Sequence, residues 1–480
     1  MTKNHQPSPL LYLSIIIGTF VLLCCSAWSA YWHMFEHKTA KYVSLSSAFI
    51  SAIDTVQTLA KDRMPGNAVC IIGGSGSLYS VSTEMLSQRL KRPVVNLALH
   101  AGLGIQYLLY RAKKHLRPGD VAVVLLEPHL YASPQESWTL ADWIIPSDFR
   151  YFSGLSFRSM YKLIALLTLN EHLDRFTSPR QAVDAAKDVR LHVNSFGDVV
   201  GFFDASRPEH ARTSLAANAA TPLKYSMSGT NRETQDWQPS VIEFVQWAKA
   251  NNILVLAGAP ALLDAPLYHT PNGSAFFKDI EAMWTTLDIP FINSQVDFLF
   301  PIELFYDTRY HMNDAGRLIL SRKLSEVLAS WLPLERLPAY EFPKNVSFAL
   351  GDDIFTALPP RLTNVEGLSL GENWGAWTVG PKMILHFSMN VPQALTLTFH
   401  VTKVFPQNLQ GPIRVKSGGD VQELAISAPG TYTVMMRPQT PVRELTVSIP
   451  TTHTPQSLGL GEDTRLLGLG LSKIDMQFSE

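Results

Sequence analysis

Short apolar runs that alternate with stretches of helical periodicity constrain this chain more than any other feature. The runs are Ala68 to Ile72, Val94 to Leu99, Val121 to Leu126, Ile253 to Ala257 and Ile289 to Ile292. Around them lie the helical stretches Ser82 to Leu90, Ile105 to Leu116, Pro239 to Ala250 and Ala315 to Trp331. A strand that is apolar on both faces must be covered on both faces. The pattern from about Val43 to Leu332 therefore predicts an α/β domain built on a parallel sheet between helical layers. Such sheets bind ligands beyond the carboxyl ends of their strands. Residues 134 to 236 interrupt the alternation with aromatic and helical segments, including Met160 to Leu169 and Gln181 to Val189. They are read as an insertion that could roof a site.

The pattern changes after Leu332. Pro333, Pro338 and Pro343 punctuate a linker, and from Val346 onward strand-like runs replace helix signals. Examples are Met383 to Phe387, Leu395 to Val401, Tyr432 to Met436 and Leu445 to Ile449, separated by turn formers such as Gly418-Gly419-Asp420 and Pro429-Gly430. This predicts a β-sandwich or jelly roll. A chain of 480 residues is too long for one ordinary domain. The expected division is an anchor at 1–34, an α/β domain at 35–335 and a β-sandwich at 345–480.

The anchor rests on Leu10 to Trp32, which holds no charged residue. About 20 such residues cross a bilayer core at helical rise, and Trp28, Tyr31 and Trp32 suit an interfacial belt. A cleaved signal peptide is the alternative, with only Lys3 and His5 in its leading region. An uncleaved transmembrane helix is the preferred reading. Lys38 and Lys41 follow the span and Lys3 precedes it, so charge alone orients it weakly. Placement of the bulk outside the cytoplasm leans on function.

Composition excludes several classes. Hydrophobic residues at 46% with 17% charged describe a folded chain. A net charge of −1 offers nothing to nucleic acid. Cys24, Cys25 and Cys70 draw no disulfide framework. No Cys-x-x-Cys pair occurs, and neither a metal nor a cofactor is expected. Gly102-x-Gly104 lacks the rest of a dinucleotide fingerprint.

Chemistry concentrates in two segments far apart in the chain. Gly73-Gly74-Ser75 follows the first strand and precedes Leu78 to Val81, which can open a helix. Ser75 therefore falls on a tight strand-to-helix turn, where glycines let backbone approach a substrate and unpaired N–H groups are available. Asp307-Thr308-Arg309-Tyr310-His311 supplies a carboxylate and an imidazole before the last helix. Ser, His and Asp from distant segments are the parts of an activated serine nucleophile. His100 and His129 are read as structural or site-lining, and Asp314 as a helix cap.

Together with Asn96-Leu97-Ala98-Leu99-His100-Ala101-Gly102-Leu103-Gly104, Asn313 and Gly316, these segments resemble the SGNH hydrolase superfamily. The likeness covers about residues 65 to 130 and 250 to 332. It is nearest to the membrane-anchored branch that modifies bacterial polysaccharides and includes relatives of alginate O-acetyltransferases. Glu372-Asn373-Trp374-Gly375-Ala376-Trp377 and Asp463 to Leu469 resemble β-sandwich modules of envelope glycan proteins.

The resemblance implies a three-layer, flavodoxin-like fold for the first domain. It makes Ser75 the nucleophile, His311 its general base and Asp307 the residue that orients the imidazole. The N–H groups of Ser75 and of Gly102 or Gly104 would form the oxyanion hole, with Asn96 as a further donor. Trp374 and Trp377 could stack on sugar, or belong to the sandwich core. The chain departs from the family pattern at three places. Gly74 stands where an Asp usually precedes the serine. Four residues rather than three separate Asp307 from His311. Leu126-Glu127-Pro128-His129 stands where an Asn donor is common, which leaves Glu127 to line the site in another role.

Two functions from different classes follow. One is an anchored O-acyl esterase or acyltransferase that acts on polysaccharide through an acyl-serine, partnered in the membrane by an acyltransferase or polysaccharide synthase. The other is a non-catalytic glycan-binding or assembly protein that keeps the fold. Retention of Ser75, His311 and Asp307 favours the enzyme.

Overall fold

In the computed structural model, residues 9–36, 44–64, 66–167, 193–201, 208–221, 237–332, 343–351, 358–369, 371–387, 390–391 and 394–479 are described. The first four strands are β1 (Val69–Gly73), β2 (Val94–Asn96), β3 (Val121–Leu125) and β4 (Leu254–Ala257). They form one parallel sheet in the order β2-β1-β3-β4. Every residue of β1, β2 and β3 is buried, which is why these runs carry no polar face. Val69 and Ile71 share a core with α4 (Thr83–Leu90) and α12 (Asp314–Trp331) through Leu86, Leu90, Leu320 and Leu324. Alternation turns Cys70 and Ile72 to the opposite face. There α5 (Gly104–His115) packs on β1 and against α10 (Gln238–Ala250). The α/β architecture with helices on both faces is as the sequence predicts.

The fifth expected strand, Ile289 to Ile292, is reduced to a single parallel bridge between Ala257 and Phe291. Asp288 at φ 58° turns the chain just before it, and Pro290 brings no N–H to a ladder. Two further short strands, β5 (Leu262–Leu263) and β6 (Leu299–Phe300), pair parallel beside the main sheet.

The ten strands described beyond residue 343 form two antiparallel layers of five. One is β13-β12-β15-β10-β8 and the other β14-β11-β16-β7, with β9 also pairing on β16. Their ranges are β7 (Asn345–Ala349), β8 (Leu362–Glu366), β9 (Ala376–Val379), β10 (Lys382–Phe387), β11 (Ala394–Val404), β12 (Ile413–Ser417), β13 (Asp420–Leu424), β14 (Gly430–Met436), β15 (Glu444–Ser448) and β16 (Leu467–Ser479). Leu385, Leu395, Leu397, Val415, Leu445 and Ile474 fill the core between them. Alternate burial along β11 is the period-two signal of a sheet with one wet face. Residues 193–200 touch both parts. Leu358 donates to the Val193 carbonyl at 2.8 Å, and Asp198 accepts from the N–H of Thr83 at 2.9 Å.

Near the start, α1 (Pro9–Glu36) is a 28-residue helix with Ile16, Phe20, Leu22 and Leu23 exposed. Its described side chains are those of residues 12–14, 16–23, 25, 26 and 29. Among the described residues no helix is long and apolar enough to cross a membrane. Within the expected insertion lie α6 (Trp138–Ser147), α7 (Phe149–Ser153), α8 (Phe157–Leu166) and α9 (Glu209–Ala220). The expected helix at Gln181 to Val189, and Pro333 and Pro338 of the linker, lie outside the described residues. Asp142 of α6 accepts from the hydroxyls of Ser44 and Ser47, the latter at 2.6 Å.

Candidate active site

Ser75 is the first residue of α3 (Ser75–Ser80), two residues beyond the carboxyl end of β1. Gly74, its N-cap, offers no side-chain hydrogen bond. Gly73 is fixed by space, because a Cβ there would lie 2.5 Å from the Leu125 carbonyl oxygen and 2.6 Å from Ser77 Oγ. Ser77 Oγ donates to that same carbonyl at 2.9 Å, which ties the first turn of α3 to the end of β3.

The short helix also holds the second segment. Ser80 donates to the Tyr310 carbonyl at 2.7 Å and accepts from the Met312 N–H at 3.0 Å, so one hydroxyl stitches both neighbours of His311 to α3. Tyr79 stacks on the His311 ring, with centroids 4.3 Å apart and planes 10° from parallel. Tyr79 lies four residues after Ser75, on the same side of α3. The imidazole is thereby held along the face of the helix that begins with Ser75.

Asp307 reaches His311 through a tight loop. Tyr306 donates to the His311 carbonyl at 2.8 Å, and Thr308 Oγ1 accepts from the N–H groups of Tyr310 and His311. Within it the Asp307 carboxylate meets His311 Nδ1 at 2.9 Å. A spacing of four residues is therefore compatible with the pair, because the loop rather than an extended strand sets their distance. Nδ1 is engaged, which leaves Nε2 as the nitrogen available to a hydroxyl. The last helix is capped by Asn313, whose side chain accepts from the Gly316 N–H at 2.9 Å. Asp314, expected as the cap, is instead its first residue and pairs with Arg317 at 3.4 Å, because Asn313 already occupies the non-helical cap position.

The other expected site residues fall around this core. Gly102 donates its N–H to His100 Nδ1 at 3.0 Å, and Gly104, at φ 73°, donates to the Ala101 carbonyl. Both amides are thus taken within the chain. Asn96 is fully buried and gives its amide N–H to Asp198 at 3.0 Å and, more loosely, to the Ser77 carbonyl at 3.5 Å. The Ser75 N–H makes no hydrogen bond among the described residues. Glu127 is fully buried and accepts from the N–H of Gly74 at 3.0 Å and of Gly76 at 2.6 Å. Burial pushes its carboxyl up, against the opposing pull of those amides.

Two more histidines flank the site. His100 is held below its ordinary range by burial and by the neighbouring His311, and burial with Arg309 beside it pushes His129 down to about 4. His129 packs against Tyr310 at 5.2 Å. In the sandwich, Trp377 is buried and stacks on Phe405. Trp374 donates to Glu372 at 2.7 Å and carries the Lys403 ammonium 3.9 Å over its ring. Sequence reasoning missed Tyr79 and Ser80. The spacing of four from Ser75 was the only available pointer to Tyr79, and nothing local points to Ser80.

Comparison with known proteins adds little weight. Residues 351–478 match a family described as a domain of unknown function, DUF7024. No curated protein matches the chain. Among solved structures, one similar chain is described as a lipolytic protein of the G-D-S-L family from Desulfitobacterium hafniense DCB-2. It is 13% identical over 55% of this chain and 99% of its own, with a TM-score of 0.27. A chain described as an acylhydrolase from Bacteroides fragilis NCTC 9343 is 11% identical over 56% of this chain and 93% of its own, with a TM-score of 0.26. A Bacillus subtilis protein gives 11% identity and a TM-score of 0.26 over 56% of this chain, which spans 57% of that protein's length. Scores this low carry no argument for shared function, so the case rests on the site's own geometry.

Proposed function

We propose that the chain is a serine-dependent O-acyl esterase or acyltransferase. The observation that carries this reading is the His311–Asp307 pair held along α3 by Tyr79 and Ser80, on the helix that Ser75 opens. Ser75 Oγ attacks the acyl carbonyl while His311 Nε2 takes its proton, and Asp307 holds the tautomer and the growing imidazolium charge. The Ser75 N–H, which Glu127 leaves free between the engaged amides of Gly74 and Gly76, faces the developing oxyanion. His311 then returns the proton to the leaving alcohol. Water or a sugar hydroxyl, deprotonated by the same imidazole, takes the acyl group, and the imidazolium returns that proton to Ser75 Oγ as the acyl–oxygen bond breaks.

A polysaccharide acceptor, a membrane acyltransferase or synthase as partner, and a periplasmic location are part of the proposal through the family resemblance. The exposed apolar side chains of α1 support an anchor. The glycan-binding or assembly reading draws on a different observation: the amides of Gly102 and Gly104 are both spent internally, which thins the oxyanion hole.

Serine-reactive fluorophosphonate labelling of the protein, with aryl-acetate hydrolysis beside it, tests the choice. Labelling that vanishes in Ser75→Ala and weakens in His311→Ala is expected. A folded wild-type protein that neither labels nor hydrolyses would leave the binding reading standing.

A further inference from the structure

We propose that Glu127 is the positioning carboxylate of the nucleophile turn, supplying from the end of β3 what an aspartate at position 74 would supply from beside the serine. The inference rests on the reading of Ser75 as nucleophile.

Register brings the two segments together. Gly73 pairs with Leu125 across β1 and β3, so two residues further along each chain lie Ser75 and Glu127. The carboxylate is fully buried, and its two oxygens are divided between the N–H groups on either side of the serine residue: Oε2 takes Gly74 and Oε1 takes Gly76. Gly74, as the N-cap of α3, has no side chain with which to satisfy these donors, and Glu127 does so from another strand. Both oxygens of one carboxyl group are thereby engaged, and two N–H bonds at once fix the turn in both position and tilt.

Glycine at 74 is required by space and not by conformation. Its φ of −90° is open to any residue. A Cβ there, however, would stand 2.4 Å and 2.5 Å from the two Glu127 oxygens and 2.8 Å from the Ala101 Cβ. A Cβ at Gly76 would stand 3.0 Å from Glu127 Oε1 and 3.2 Å from the Tyr310 Cβ. The carboxylate thus fills the volume a side chain at 74 would need. The missing Asp and the unusual Glu are one exchange: a carboxylate moved from the serine's neighbour to the next strand. Of the three consecutive amides at the turn, Glu127 consumes the outer two and leaves that of Ser75 for chemistry.

The test is a swap in the full chain. Glu127→Gln offers a carbonyl to one amide but an NH2 group to the other. It should lower kcat for aryl-acetate hydrolysis by about 10- to 100-fold, the scale for a residue acting through another, with KM within about twofold. Gly74→Asp alone should be as poor or worse, since its side chain meets the Glu127 carboxylate. Gly74→Asp combined with Glu127→Asn restores one carboxylate in the same volume and should recover at least about tenfold over Glu127→Asn alone. Amide hydrogen exchange over residues 69–80 reads the same point without activity. It should quicken by about tenfold or more in Glu127→Gln and slow again in the double variant. Exchange and kcat both unchanged in Glu127→Gln would overturn the proposal, as would a double variant no better than Glu127→Asn. A wild-type protein without esterase activity would sink the serine-enzyme reading, and the exchange arm would then decide the role of Glu127 by itself.

Discussion

Two histidine–carboxylate pairs in this molecule are closely matched in distance, engage different ring nitrogens and have very different surroundings. His311 meets Asp307 at 2.9 Å in the α/β region, and His400 meets Asp475 at 2.7 Å on a sheet of the sandwich. Around the first, Tyr79 stacks on the ring and Ser80 grips the backbone on both sides, on a helix that opens with a serine. Around the second, Asp475 is shared with Ser347 and Lys473, a chain of surface polar groups in register across β7, β16 and β11. A polar pair on a sheet surface costs little and contributes little. What separates a candidate base from a surface pair is a serine on a turn that the base's own support also fixes.

The largest expected effect breaks or upholds this distinction directly. Ser75→Ala and His311→Ala should each lower aryl-acetate hydrolysis by at least about 10³-fold, as loss of a triad member does. His400→Ala should leave it within twofold in the same assay. If His400→Ala matched His311→Ala, the contrast between the two pairs would be void. Next comes Asp307→Asn, expected to cost ~10²–10⁴ in kcat by releasing the imidazole to the wrong tautomer. Asp475→Asn, its counterpart, should change only stability, by less than about 1 kcal/mol in urea unfolding.

Much of the fold could be read before the structure, and the reasons differ by element. β1, β2 and β3 are apolar because both faces are covered, and that pattern survives in one dimension. Ile289 to Ile292 has the same composition, but the turn at Asp288 and the proline inside it limit it to a bridge. At the site, Ser75, Asp307 and His311 stand out because residue type and local context suffice to suggest them. Glu127 does not, since its meaning depends on the register that sets Gly73 beside Leu125. The amides of Gly102 and Gly104 show a converse effect. Glycines that read as open donors find partners two or three residues away, in the His100 ring and the Ala101 carbonyl, through cap geometry no composition reveals.

The two regions also differ in what they bury. The sandwich core is apolar, whereas under the α/β sheet Lys61 and Asp120 pair at 2.9 Å with almost no exposure. Lys61→Met should cost about 3–5 kcal/mol, because Asp120 would remain as a buried charge with only the N–H groups of Ala68 and Arg117 to hold it. Chemical unfolding followed by near-ultraviolet signal checks this. A loss below 1 kcal/mol would mean that the pair is no more than space-filling.

The smallest effect concerns acid. His129 is buried beside Arg309 with its pKa pushed down to about 4, against about 6.5 in an unfolded chain. Above pH 6.5 both states are neutral and the fold keeps its full stability. As pH falls from 6.5 to 4 the unfolded chain takes up a proton that the folded one refuses, so stability drops, by roughly 3 kcal/mol over the window, and no further below it. Glu127 and Asp198, whose carboxyls burial pushes up, act in the opposite sense, while His115, also pushed down to about 4, adds to the loss. The decisive measurement is therefore a difference: urea midpoints at pH 7 and pH 4.5 for the wild type and for His129→Phe. The variant should lose about 2–3 kcal/mol less than the wild type between those two pH values. Because His129 packs on Tyr310, next to His311, equal losses would mean that the wall of the candidate site admits a charge, and that its contrast with the water-facing pair at His400 is smaller than burial implies.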